Sequence, residues 1–180
     1  MDTAQLPQVV ELEEFEPHRH AGLLEVWLGR LHVVRWWGDQ RQELPALVGR
    51  KPDTHAVILA GGIPVGYVCW QPLSAEDRAA AGLSDLPDDL MDIDILIGEP
   101  ELVGRGIGPR ALRLLLGQLR RKADARCAGL GTSLSNQAAV SAAEKAGFTP
   151  FWDFDDPAHG TCRYFVFDLL ETARSSCETG

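Results

Sequence analysis

The chain has 180 residues, 45% of them hydrophobic and 24% charged, which is enough for about one domain with its own apolar core and excludes wholesale disorder. Its formal net charge of −9 argues against a nucleic-acid binder, which needs a basic face for phosphates, and favours a cationic partner. No apolar run approaches the roughly 20 residues of a membrane helix, and the acidic opening "MDTAQLPQVVELEEFEP" is unlike a signal peptide.

In chain order, "QVVELEEF" alternates apolar and polar residues and predicts a strand ending near Phe15. "PHRH" then reads as a solvated helix start carrying His18 and His20, with Pro17 in a favoured first-turn position. Leu23, Leu24, Trp27, Leu28 and Leu31 fall on one helical face behind it. A second, shorter helix is expected over Arg41–Val48. "HAVILAGGIPVGYVCW" predicts a hairpin turning at Gly61-Gly62, and residues 71–90 read as a polar, turn-rich excursion rather than a core element.

Next come the strand "MDIDILIG", the loop "VGRGIG" and a helix with Leu112, Leu115, Leu116 and Leu119 at core spacing. "RCAGLGTSL" is a weaker buried strand. "SNQAAVSAAEKAGF" is a helix capped by Ser135 or Asn136 and stopped at Gly147. The strands "FTPFWDF" and "TCRYFVFDL" close the series, with a frayed tail after Leu170. The order β-α-α-β-β-β-α-β-α-β-β predicts a mixed α/β (α+β) sandwich, one domain with its core over residues 8–168.

The cysteines, Cys69, Cys127, Cys162 and Cys177, include no CxxC pair, and the five histidines have no HExxH spacing. Three core thiols and one tail thiol in a reducing cytoplasm are expected, with no metal site.

The loop between strand and helix is the chemical signal. A dinucleotide fingerprint would need glycine where Pro109 stands, and a Walker A loop would need a GK[ST] that is absent. What remains is a glycine loop whose N–H groups, with the following helix N-terminus, suit a diphosphate, Arg105 and Arg110 adding charge. Asp92 and Asp94 alternate onto one face of the preceding strand. Nine carboxylates lie between Glu76 and Glu101 against the single base Arg78, and Asp153, Asp155 and Asp156 form a second acidic group.

"VGRGIG" running into "RALRLLL", with "NQAAVSAAEKAGF" after it, resembles the acetyl-CoA segments of the GNAT superfamily of N-acetyltransferases, and the element order is similar to theirs. The likeness spans residues 8–168. "HVVRWWG" and "DIDILIGEPELVGRGIG" are similar to segments of the aminoglycoside N-acetyltransferases, particularly the 6'-enzymes. The resemblance implies a GNAT fold, a mostly antiparallel mixed sheet flanked by helices, and acetyl-CoA as acetyl donor. It implies contacts to that donor from Ile95, Leu96, Ile97, Leu102, Val103, Gly104, Arg105, Gly106, Ile107, Gly108 and Asn136.

It further implies Asp94 as the base that takes the amine proton, and a cationic acceptor, an aminoglycoside, against Trp36, Trp37, Asp92, Asp153 and Asp155. A strand N–H near Ile95 to Ile97 would meet the oxyanion. Two positions depart from the pattern. Ala143 stands where many relatives carry a tyrosine proposed to protonate the leaving thiolate, a task open to Tyr164, a serine or water. "GTSLSN" replaces the acidic "TDP" of many 6'-enzymes, which leaves room for a different amine, such as the 2'-amine of kasugamycin. A siderophore precursor or other small amine is the alternative acceptor, and a non-catalytic acyl-CoA-binding module the alternative class.

Overall fold

The computed structural model describes residues 9–38, 40–122 and 125–170. Seven strands form one sheet in the order β1-β2-β3-β4-β5-β7-β6. They are β1 Val10–Glu14, β2 His55–Ala60, β3 Ile63–Pro72, β4 Met91–Ile97, β5 Cys127–Ser133, β6 Thr149–Asp156 and β7 Gly160–Asp168. Every neighbouring pair is antiparallel except β4 and β5. That parallel pair needs a crossover, supplied by α5, Ile107–Lys122. The fold is thus the mixed, mostly antiparallel α/β architecture expected from the sequence.

Two layers cover the sheet. On one face α5 and α6 (Gln137–Ala146) bury Leu112, Leu115, Leu116 and Leu119 against Ile58, Val68, Ile93 and Phe165. On the other, α1 (Pro17–Leu28) buries Leu24, Trp27 and Leu28 against Val57, Tyr67 and Leu96. Pro17 opens α1, Gly61 and Gly62 turn the β2–β3 hairpin with φ of 60° and 78°, and Asn136 caps α6, its Oδ1 accepting from Ala139 N at 3.3 Å. Gly147, at φ 102°, ends α6 in the left-handed conformation.

Four sequence expectations change. The first helical face does not run on to Leu31: α1 ends at Leu28, a new helix α2 (Leu31–Trp37) starts in another direction, and Leu31 is 87% exposed. His20 is buried, not solvated, because its Nδ1 accepts the Glu16 N–H at 2.9 Å and so satisfies a donor at the start of α1. Over Arg41–Val48 only α3, Leu44–Val48, is α-helical, following a 3-10 turn over Gln40–Glu43. The excursion 71–90 holds a short helix, α4 (Ala75–Ala80), capped by Ser74, and then Leu83, Leu86 and Leu90, which form a third small core with Cys127 and Tyr164. Leu83, Leu86 and Leu90 are spaced as on a helical face, but Gly82 and Pro87 interrupt the stretch and no helix forms there, so the spacing marks no regular element.

Cys69, Cys127 and Cys162 are free and buried, while Cys177, the expected tail after Leu170 and residue 8 of the 8–168 span lie outside the described residues.

Candidate functional site

The site exists because β4 and β5 part. They pair only through Met91↔Ala128 and Asp92↔Gly129, although β4 continues to Ile97 and β5 to Ser133. Gly98 N donates to Val65 O at 2.8 Å, and Leu90 O accepts from Leu73 N at 3.2 Å. Even-numbered residues of β4 therefore turn their backbone groups toward β3. By alternation, Ile95 and Ile97 turn theirs into the gap, where β5 has moved away. A cleft runs through this opening, with Ile95, Asn136, Ala139, Ala142 and the two tryptophans shared by both of its halves.

One half lies over the glycine loop. Gly104 and Gly106 have φ of 76° and 80°, and a Cβ on either would meet nothing within 4 Å. The left-handed backbone is thus combined with open space in front of it, as an anion cradle requires. The first turn of α5 adds N–H groups without intrahelical partners, and Pro109, which has no N–H, costs nothing there. Gly108 differs: a Cβ on it would lie 3.5 Å from Ala142 Cβ, so it also lets α5 pack closely on α6. Of the residues expected around acetyl-CoA, Ile95, Leu96, Ile97, Leu102, Val103, Gly104, Gly106, Gly108 and Asn136 all line this half. Two do not: Ile107 is buried in the core, and Arg105 is exposed, its Nε donating to Glu101 O at 3.4 Å.

The other half carries Asp94, with Trp36, Trp37, Leu47, Arg50 and Cys69 on one side and Phe154, Asp156 and His159 on the other. The tryptophans are held by α1 and α2. Trp27 packs where a Cβ on Gly98 would overlap it, its Nε1 donates to Glu99 Oε1 at 2.9 Å, and Arg30 pairs with Glu99 at 3.0 Å. His32 Nε2 donates to the Ile97 carbonyl at 2.9 Å. Trp37 backs onto the α1-side core, and the Arg35 guanidinium lies 4.7 Å from the centre of a Trp36 ring.

Asp94 opens to solvent through the cleft, yet the walls enclose it, and this loss of water raises its carboxyl while Arg50 pulls it back down. Asp92 sits deeper and lines neither half. Its Oδ1 accepts from Tyr164 Oη at 2.8 Å. Burial, with the Asp94 charge adding to it, pushes the Asp92 carboxyl up to about 6, and the Tyr164 bond partly offsets this.

The acidic groups are mostly engaged elsewhere. Asp153 forms a two-bond pair with Arg163 at 2.6 and 2.7 Å, and Asp155 accepts from Thr161 at 3.1 Å. Both lie on the face of β6 away from the cleft, so strand alternation corrects their expected place: Phe154 and Asp156 line the cleft instead. Asp156 is held by the Ala158 and His159 N–H groups, and accepts from His159 Nδ1 at 3.0 Å. Asp88 pairs with Arg78, Asp89 with Arg126 and Glu99 with Arg30. With Asp77, which accepts from Ser74 Oγ at 2.7 Å, and Asp92, five of the nine carboxylates from Glu76 to Glu101 are engaged within the fold.

Ala143 is fully buried in the core, and Tyr164 lines neither half of the cleft. His32, Arg50, Phe154 and His159 were not expected in the site. Only the pair of glycines Gly129 and Gly131, spaced two apart in a strand, signalled the room left for Tyr164. Among the described residues no group of His, Cys, Asp and Glu has metal-site geometry, and no helix is long and apolar enough to cross a membrane.

Comparison with known proteins agrees with this geometry. The aminoglycoside N(6')-acetyltransferase type 1 of Klebsiella pneumoniae is 29% identical over 155 residues, covering 77% of this chain and 73% of that one. The relative of the same name from Serratia marcescens matches equally. The structure of AAC(6')-Ib with paromomycin and acetyl-CoA superposes with a TM-score of 0.73 at 25% identity, covering 94% of this chain and 99% of the other. AAC(6')-Ib with coenzyme A gives 0.72 at 26%, over 93% and 100%. The "Acetyltransferase (GNAT) domain" family matches residues 16–155. The chain belongs to the GNAT acetyltransferase family and is an acetyl-CoA-dependent N-acetyltransferase.

Proposed function

We propose that the enzyme acetylates the 6'-amine of an aminoglycoside, and that such a modification confers resistance to it. The observation that carries this is the cleft itself: one carboxylate, Asp94, between a tryptophan pair and the Asp156–His159 hairpin, opening directly onto the glycine-loop half. The curated relatives, named as 6'-acetyltransferases, support the choice of amine.

Bound acetyl-CoA supplies an activated acyl thioester. Gly104, Gly106 and the first turn of α5 hold its diphosphate by backbone N–H groups, and Asn136 and the α6 face flank its thioester arm. Trp36 and Trp37 orient the cationic sugar by their ring faces, and Asp94 pairs with its ammonium. An ammonium has no lone pair, so its N–H bond must break first, the proton passing to an oxygen of Asp94. The freed lone pair attacks the thioester carbonyl and forms the C–N bond; as the C–S bond breaks and the thiolate leaves, the nitrogen gives up a second proton and becomes the neutral amide. The Ile95 and Ile97 N–H groups, turned into the gap, meet the oxyanion as it develops. Ala143 is buried away from the cleft, so water carries that second proton to the thiolate, and the proton on Asp94 passes to solvent. Free buried thiols fit a reducing cytoplasm.

The test is incubation with acetyl-CoA and a 6'-amino aminoglycoside, followed by NMR of the product. An amide at the 6'-nitrogen is expected. An amide at the 2'-position, or none, would overturn the assignment.

A further inference from the structure

Tyr164 has no part in the acetylation as described so far, yet the molecule is built around its hydroxyl. It stands on β7, two strands from β4. Its ring crosses the intervening β5 over Gly129 and Gly131, and a Cβ on Gly129 would overlap both the ring and the hydroxyl. Leu83, Leu86 and Leu90 close over the ring from the excursion before β4. At the end of that path Oη donates to Asp92 Oδ1 at 2.8 Å. Asp92 is also the last residue of β4 that still pairs with β5, through Gly129. The bond therefore lies at the apex of the opening, one strand repeat below Asp94 and on the same face.

We propose that Tyr164 is a positioning residue for acetyl transfer, holding Asp92 as a fixed, hydrogen-bonded carboxylate beneath Asp94. The inference rests on the reading of Asp94 as the base. An ionised Asp92 beside it strengthens Asp94 as a proton acceptor, because like charges favour the protonated form of one partner. Unsupported, a half-buried Asp92 would take up a proton itself and the advantage would vanish. Donation from Tyr164 favours the ionised form. The other groups around the pair are Cys69 and Gln71, opposite Asp94 and Asp92 on β3, Tyr67 on the same strand, Cys127 on β5 and Arg50 beside Asp94. Cys69 and Tyr67 stay protonated, burial pushing the Cys69 thiol up to about 12 and the Tyr67 hydroxyl higher. Arg50 is thus the only fixed cation of the set.

The experiment compares Tyr164→Phe, which keeps the ring, and Asp92→Asn with the wild-type enzyme. The carboxyl titrations of 13C-labelled aspartates are followed by NMR, and kcat/KM is measured against pH. Loss of the hydroxyl should move the Asp92 titration and the acid limb of kcat/KM upward together, by about one pH unit. The rate deficit should be largest at acid pH and shrink as pH rises, with the KM for acetyl-CoA within twofold. In Asp92→Asn the acid limb should move down instead. An unmoved Asp92 titration in Tyr164→Phe would overturn the proposal, as would a moved titration with an unmoved limb or with a rate loss equal at every pH. Failure of wild-type enzyme and variants alike to acetylate any aminoglycoside would overturn the functional reading, whatever the NMR shows.

Discussion

Asp92 and Asp94 stand two residues apart on one face of β4 and meet different surroundings. Asp94 faces the cleft, while Asp92 is held beneath it by Tyr164. Asp94→Asn should lower kcat about 100-fold or more while the Kd for acetyl-CoA, by calorimetry, stays within twofold; an unchanged kcat would remove Asp94 as the base. Asp92 also has a cost. Burial pushes its carboxyl from the usual 3.8 up to about 6, so its contribution to stability is full below about pH 4 and is lost as pH rises to 6 and beyond. Asp92→Asn, which can still accept from Tyr164, should therefore stabilise the protein by about 1–3 kcal/mol at pH 7.5 and not at pH 3.5. Urea melts at the two pH values would show this; an equal effect at both would contradict it. Alternation alone made the shared face of Asp92 and Asp94 legible in the sequence. It did not show which carboxylate reaches the cleft, because that depends on where β4 stops pairing with β5, after Asp92.

The elements that hold the site are recognised by what their glycines leave out. Gly98 makes room for Trp27, which ties α1 to the end of β4 and so sets where α2 presents Trp36 and Trp37. Gly98→Ala should cost about 1–3 kcal/mol by overpacking, read as a lower Tm; an unchanged Tm would mean that Trp27 moves freely. Gly106→Val should strain a left-handed backbone and fill the space before it, weakening acetyl-CoA at least about tenfold by calorimetry. An unchanged Kd would show that the loop does not hold the donor. The glycine loop, the α5 leucines and the α6 cap were all legible because local rules govern them. The break between α1 and α2 was not: Gly29 is helical in backbone, with φ −86°, and the tertiary anchors Glu99 and Ile97 set the turn. Asp153 and Asp155 failed for a simpler reason, since the strand phase of β6 rather than its composition places Asp156 in the cleft.

For the whole molecule, the parting of β4 from β5 links fold to reaction. It turns the Ile95 and Ile97 N–H groups into the gap, opens the cleft and puts Asp94 at its mouth. The order of elements predicted the sheet and its crossover helix, but the opening depends on where pairing stops, after Asp92↔Gly129, which no local pattern encodes. The carboxylates behind the net charge of −9 do not all face the cleft, since ion pairs engage Asp88, Asp89, Glu99 and Asp153. Selection of the acceptor falls to the cleft. Its walls of tryptophan, phenylalanine, Asp94 and Asp156 should favour a polycationic sugar over a small hydroxylated amine. The most direct measurement is acetyl-CoA-dependent thiol release across 6'-amino aminoglycosides, kasugamycin and hydroxamate-precursor amines. kcat/KM should be at least about 100-fold higher for the 6'-amino aminoglycosides, since a site built for one set of polar contacts rejects partners lacking them. Preference for the small amines, or for kasugamycin alone, would contradict it.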